Sequence, residues 1–160
     1  MWTLKWWNQG LTVGAIDGSV RRALHGHPRL RDFDAPRIRI RVSDTGEVLL
    51  GGAVSTPEAR QLAETVVRDV EGVRRVRNEL RTDAELTKEL RATLAQDPRT
   101  VGLEKHSVVF HGMAEMRGSA TYDAQLAAIK MAGAIQGVRG VSNYAQLTSA
   151  VASTPVPKAA

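Results

Sequence analysis

The sequence lacks cysteine, has few aromatic residues and contains no long apolar segment. The absence of cysteine excludes disulfides, thiolate metal sites and thiol nucleophiles together. Aromatic residues make up only 4% of the 160 residues, so aliphatic side chains must fill the interior. No apolar run approaches the roughly 20 residues that a membrane-spanning helix requires. The net charge of +5 permits contact with nucleic acid, anionic lipid or an acidic protein.

Residue types that carry common enzyme chemistry do not form a motif in this chain. The glycine-rich segments lack the lysine and hydroxyl residue of a phosphate-binding loop. The pair His25 and His27 and the pair His106 and His111 occur without carboxylates at a recurrent ligand spacing, which argues against a metal site. The sequence therefore predicts no catalytic residue, no cofactor and no metal.

Residues 37–54 predict a β-hairpin, because apolar and charged residues alternate along it with the period of a half-buried strand. The apolar positions of the first strand are Ile38, Ile40 and Val42, and the charged positions are Arg37, Arg39 and Arg41. Gly46 supplies the freedom that a tight reversal needs, and the chain returns through Val48 to Val54. One face of this hairpin is expected to be buried and the other charged.

The surrounding segments extend the hairpin to a unit of helix, strand, strand, helix and strand. A helix is predicted from Asp17 to Gly26, a second begins at Pro57 with one apolar face, and a third strand follows Gly72. The same order starts again at Asp83, which predicts an internal repeat. Ile38 and Ile40 fall opposite charged or polar residues of the second copy, so its first strand is expected to be shorter or differently registered.

Glycine, valine and asparagine recur in both copies at matching spacings. The shared positions are Gly46, Gly52, Gly72, Val73 and Asn78 in the first copy, and Gly112, Gly118, Gly137, Val138 and Asn143 in the second. This pattern resembles the BON domain, named from bacterial OsmY and nodulation proteins. The resemblance implies an α+β fold of two tandem αββαβ modules, each a three-stranded mixed sheet with two helices on one face. The expected boundaries are an N-terminal arm at 1–14, module 1 at 15–82, module 2 at 83–148 and a disordered tail at 149–160.

The family resemblance also implies a function. It implies a non-enzymatic envelope protein that is linked to osmotic stress and membrane integrity. Phospholipid binding is the activity that the resemblance favours. This places the chain in the periplasm or envelope, whereas the absence of a secretory signal at the given N-terminus favours the cytoplasm. A cytoplasmic relative binds potassium, so potassium or small-ligand binding remains an alternative.

Two basic or aromatic groups are candidates for contact with lipid. Five arginines are expected on the open face of the first sheet, where their planar forks suit phosphate oxygens: Arg37, Arg39, Arg41, Arg75 and Arg77. The alternative is a solvated face kept soluble by charge. The arm holds Trp2, Trp6 and Trp7, which either meet a membrane interface or pack on the folded body. Nucleic acid ranks below lipid, because base-stacking aromatics are missing from these strands.

The segment from Tyr122 to Gln136 is apolar nearly all round, which is typical of a helix that is covered on more than one side. Its own sheet covers one side, so another face is expected to meet module 1, a second chain or lipid. The candidate interface residues are Leu126, Ala127, Met131 and Ile135. This predicts, as an alternative to lipid binding, a homo-oligomer or a protein partner.

Overall fold

The computed structural model describes residues 11–148 and contains the predicted helix–strand–strand–helix–strand unit twice. Module 1 consists of helix α1 (Val13–Gly26), strands β1 (Ile38–Val42) and β2 (Glu47–Val54), helix α2 (Pro57–Arg68) and strand β3 (Arg75–Thr82). Helix α1 begins four residues before the predicted start, because Thr12 caps it by accepting the N–H of Ala15. The Trp-bearing arm and the predicted tail lie outside the described residues.

Module 2 repeats this order with shorter strands and one extra short helix. Its elements are α3 (Asp83–Ala95), α4 (Val101–Glu104), β4 (Val108–Phe110), β5 (Met113–Met116), β6 (Ser119–Ala120), α5 (Tyr122–Gly133), β7 (Gly140–Asn143) and β8 (Gln146–Leu147). Strands β5 and β6 together take the place of β2, and β7 and β8 take the place of β3. The predicted α+β fold of two tandem modules is confirmed.

Each module has a three-stranded mixed sheet with its helices on one face. Strand β2 lies between β1, to which it is antiparallel, and β3, to which it is parallel. In module 2, β5 lies in the same way between β4 and β7. The helices bury matching positions against the sheets, namely Ile16, Val20 and Leu24 of α1, Ala59, Ala63 and Val67 of α2, Leu86, Leu90 and Leu94 of α3, and Ala124, Ala128 and Ala132 of α5. The two helices of module 1 do not cover the other face of its sheet, and at one end of that face Ala53 is buried in the core of module 2.

Gly52 and Gly118 occupy equivalent positions where no other residue fits. Their φ angles are 110° and 117°, in the region that favours glycine. A Cβ atom at either position would lie 2.4 Å from a backbone oxygen, that of Arg37 or that of Gly102. The other repeated glycines, Gly46, Gly72, Gly112 and Gly137, also have positive φ. Val73 and Val138 pack against the cores of their own modules.

Asn78 and Asn143 have the same role in the two modules. The side-chain oxygen of each accepts the backbone N–H two residues later, at 3.2 Å from Leu80 N and 3.0 Å from Ala145 N. The amide of Asn78 donates to the backbone oxygen of Arg60 in α2, and the amide of Asn143 donates to Gln125 in α5. The repeated asparagine therefore ties the last strand of each module to its second helix.

The second hairpin is shorter than the first, as the sequence predicted. Strand β4 has only three residues, and the turn between Phe110 and Met113 consists of His111 and Gly112 alone. Both turn residues have positive φ, 53° and 71°, which is the conformation of a type I′ turn. His111 is the one residue other than glycine with positive φ in the part of the chain that the structure describes.

Candidate functional site

The open face of the module 1 sheet presents mainly arginine. Register places Arg39 opposite Gly51 and Gly51 opposite Glu79, and the next row is Arg41, Leu49 and Arg77. Successive strand residues point to opposite faces of a sheet. The aliphatic residues of these strands therefore lie on the helix-covered face, and the residues of the two rows lie on the open face. The side chains of Arg39, Arg41, Arg75 and Arg77 are exposed, and Leu49 in the centre is half-buried.

Three of these arginines have no acidic partner among the described residues. Arg77 pairs with Glu79 at 3.0 Å. None of the ion pairs formed within residues 11–148 involves Arg39, Arg41 or Arg75. Each of these three side chains is a cation, and the acidic residue nearest to one of them in the sheet register is Glu47, opposite Arg75. The open face of module 1 therefore has the chemistry of an anion-binding surface.

The predicted position of Arg37 on this open face is wrong. Only 5% of Arg37 is exposed, and it ends a short 3-10 turn, Ala35–Arg37, instead of starting strand β1. Its guanidinium donates to the backbone oxygen of Phe33, to the carboxylate of Asp34 and to the hydroxyl of Ser55. Arg37 is thus an internal residue, and the candidate site consists of the other four arginines.

Asp83 completes this internal network from module 2. Its carboxylate lies 3.8 Å from Nη1 of Arg37 and accepts the backbone N–H groups of His111 and Gly112 at 2.8 and 2.9 Å. Nη1 of Arg37 is buried and has no hydrogen-bond partner within residues 11–148. Ala53 of β2 is fully buried in the core of module 2 and would touch a Cβ atom placed on Gly112. The second hairpin turn is therefore fixed on one end of the module 1 sheet.

The open face of module 2 differs from that of module 1. Its row equivalent to Arg41, Leu49 and Arg77 consists of Val108, Glu115 and Ser142. Glu115 pairs with Arg117 at 2.7 Å. The excess of arginine on the open sheet face is therefore a property of module 1.

Helix α5 is covered on a second side by helix α3 and by the turn Pro98–Thr100. Ile135 is 6% exposed and belongs to the core of module 2, so the prediction of Ile135 as an interface residue is wrong. Ala127 and Met131 are half-buried. Leu126 is 42% exposed and follows Tyr122, which is 69% exposed, one turn along the helix. The accessible part of the predicted interface is thus small.

An exposed aromatic cluster was not predicted from the sequence. The ring of His111 stacks on Phe110, with 4.0 Å between centroids, and lies 5.5 Å from the ring of Phe33. Phe33 is 62% exposed and Phe110 is 58% exposed. Phe33 stands outside any periodic pattern, and the proximity of the rings depends on how the two modules pack, so no local sequence signal could have indicated the cluster.

Two further features of residues 11–148 bear on function. In this range, no three histidine, aspartate or glutamate residues lie close enough together to hold a metal ion. None of the helices described there is both long and apolar enough to cross a membrane. The three tryptophans of the predicted membrane arm lie outside the described residues.

Comparisons with known proteins agree with the repeat seen in the structure. Two similar structures are those of CdsD, a structural protein of the Type III secretion system of Chlamydia trachomatis. The first has a TM-score of 0.64 and 19% identity over 84% of this chain and 63% of that one. The second, of the C-terminal domain, has a TM-score of 0.55 and 20% identity over 78% of this chain and 61% of that one. At this identity the likeness shows the fold alone.

This chain spans less than two thirds of each CdsD structure that it matches. No curated protein matches the sequence. The sequence model of the BON domain matches twice, at residues 12–83 and 82–149, which together cover nearly all of the described chain. The chain therefore belongs to the BON domain family and carries two BON domains in tandem.

Proposed function

We propose that this protein is a non-enzymatic binding protein that associates with anionic phospholipid at the cell envelope and serves in osmotic or envelope stress protection. The observation that carries the proposal is the set of three exposed arginines without acidic partners among residues 11–148, Arg39, Arg41 and Arg75, on the open face of module 1. Arginine near an anionic membrane surface contributes about 1 kcal/mol of binding free energy per residue. Three such residues on one flat face support a reversible, salt-sensitive association.

Two other features support a binding role over catalysis. The repeated glycine and asparagine residues serve turns and strand–helix contacts, so the residues that define the BON pattern are structural here. The similar CdsD structures belong to a protein described as structural. A fold alone does not carry function, so the proposal depends on the arginine face.

Vesicle flotation tests the proposal. The chain is mixed with phosphatidylcholine vesicles or with vesicles that also contain phosphatidylglycerol, at low and at high salt. We expect binding to the anionic vesicles only, and its loss at high salt, because salt screens exposed charges. The double variant Arg41→Gln/Arg75→Gln is expected to bind about thirtyfold more weakly, a loss of about 2 kcal/mol.

A matched variant controls for net charge. Arg22 and Arg29 are exposed, have no acidic partner within residues 11–148 and lie on or next to helix α1, away from the open sheet face. Arg22→Gln/Arg29→Gln removes the same charge and is expected to keep most of the binding. An absence of binding to anionic vesicles at low salt, or an equal loss in both double variants, would contradict the proposal.

A second candidate function is self-association through helix α5, which is favoured by the exposure of Tyr122 and Leu126 on successive turns. Light scattering gives the mass in solution, and Leu126→Glu should convert an oligomer to a monomer because it places a charge in an apolar contact. Gln61→Glu, at the corresponding exposed position of α2, is the control. A wild-type monomer would exclude this candidate.

A further inference from the structure

A groove lies where the open face of module 1 meets module 2. It has a volume of about 170 Å³, and its walls include Arg39 and Arg41 of β1, Arg81 of β3, and Gln136 and Gly137 of module 2. Its floor is formed by Leu49 and Gly51, and a Cβ atom placed on Gly51 would meet nothing within 4 Å. Since a site needs about 10–15 Å³ of this volume to hold one water molecule, the groove has room for a tetrahedral anion of five heavy atoms.

The charges around the groove fall into two groups. Arg81 pairs with Glu89 and also donates to the backbone oxygen of Gln136 at 3.3 Å. Glu79, the acidic residue of the lining, pairs with Arg77. Arg39 and Arg41 remain without a partner among the described residues, so the groove has two free positive charges.

The spacing of these two arginines fits one small anion. Arg39 and Arg41 stand two residues apart on the same face of β1, which separates their backbones by about 6.6 Å. Side chains of this length converge readily over the floor at Gly51, where no side chain intervenes. A guanidinium offers paired N–H donors that match the oxygens of a phosphate, so two of them can bind three or four oxygens of one group.

We infer that this junction groove binds a phosphomonoester, and that it is the headgroup site of the proposed lipid-binding face, on which the inference rests. A phosphomonoester carries a charge of about −1.5 to −2 at pH 7, which matches the two free arginines. A phosphodiester such as phosphatidylglycerol carries one negative charge and has two oxygens esterified. The groove therefore favours phosphatidic acid, or another lipid with a terminal phosphate, over phosphatidylglycerol.

Vesicles of phosphatidylcholine with either phosphatidic acid or phosphatidylglycerol, matched in zeta potential, test the inference on the full chain. We expect about fivefold or more tighter binding to phosphatidic acid, the value of roughly one additional arginine–phosphate contact. Arg39→Gln/Arg41→Gln should abolish this preference. Arg74→Gln/Arg75→Gln removes two exposed arginines, the residue before β3 and its first residue, both outside the groove, and should weaken binding to both lipids while keeping the preference.

A second variant blocks the groove without changing its charge. Gly51 lies within β2 and has open space above it, so Gly51→Leu should fold and fill the floor. It should abolish the preference for phosphatidic acid although Arg39 and Arg41 keep their charge. Circular dichroism and the unfolding midpoint confirm that each variant is folded.

The outcomes separate the inference from the function on which it rests. Equal binding to both anionic lipids, with equal effects of the two arginine pairs, would overturn the groove and leave the proposed function standing. Binding to neither lipid would overturn the proposed function. NMR titration with glycerol 3-phosphate tests whether the groove binds a soluble phosphomonoester. Chemical-shift changes at Gly51 and Arg39 without vesicle binding would support the groove and assign it to a small phosphomonoester. An absence of chemical-shift changes, together with no preference for phosphatidic acid, would overturn the groove as a phosphomonoester site.

Discussion

Replacing Asp83 by alanine is expected to be the most damaging polar substitution at the junction of the two modules. The carboxylate accepts the N–H groups of His111 and Gly112 and faces Nη1 of Arg37 at 3.8 Å. Asp83 is 8% exposed and Arg37 is 5% exposed. Removal of the Asp83 carboxylate therefore leaves two backbone N–H donors without an acceptor. It also leaves the buried Arg37 cation without one of its two counter-charges.

The magnitude follows from these contacts. A hydrogen bond to a charged group contributes about 1.5–3 kcal/mol, and breaking a buried ion pair by removing one partner costs about 3–5 kcal/mol. These terms overlap, because the same oxygens serve both, so we expect Asp83→Ala to lower the free energy of unfolding by about 3–5 kcal/mol. Asp17→Ala breaks a surface pair with Arg21 on α1 and should cost about 0.3–0.5 kcal/mol.

Urea unfolding monitored by circular dichroism measures both variants. A double-mutant cycle with Arg37→Met isolates the pair, since the cost of Asp83→Ala should fall when the buried cation is absent. A cost for Asp83→Ala no larger than that for Asp17→Ala, or an unchanged cost in the Arg37→Met background, would show that the Asp83 carboxylate does not stabilise the junction.

Two further predictions concern single positions in module 1 and the junction. Gly52→Ala should destabilise the protein by about 1–3 kcal/mol or more in urea unfolding, because φ is positive and Cβ would lie 2.4 Å from the backbone oxygen of Arg37. Gly51→Ala is the control: a Cβ atom there would have open space, so this variant should be neutral or slightly stabilising. The hydrogen bond from Thr82 N–H, helped by Arg60, holds the pKa of Glu85 below its usual value. This contribution is present above the unfolded pKa of about 4.3 and is lost as pH falls through the lower folded pKa. Glu85→Gln should therefore lower stability at pH 7 and have little effect at pH 2, and an equal effect at both values would contradict this.

The local parts of the fold could be predicted from the sequence. The alternation in β1 gave the buried face of the first sheet, and the threonine–proline pair at Thr56 and Pro57 marked the start of α2. The glycine spacing gave the repeat and also indicated the shortened strand β4. These features depend on periodicity and on turn chemistry, and both are determined by residues that are close to one another in the sequence.

The packing of the modules could not be predicted in this way. Arg37 shares the period of Arg39 and Arg41, yet the strand starts at Ile38 and Arg37 is buried facing Asp83 of module 2. Ile135 follows the end of α5 and turns into the core of its own module. Both outcomes depend on contacts between distant segments. The tryptophan arm and the alternative of potassium or small-ligand binding stay predictions.

The proposed function requires the open face of module 1 to meet the anionic membrane. Methyl-labelled leucine NMR with spin-labelled, anionic lipid nanodiscs tests it most directly, because Leu49 and Leu62 are both half-buried and lie on opposite sides of the module 1 sheet. Leu126 reports on helix α5 in the same spectrum. We expect the methyl signals of Leu49 to broaden while those of Leu62 and Leu126 persist. Broadening of Leu62 or Leu126 with Leu49 unaffected would contradict contact through the open face.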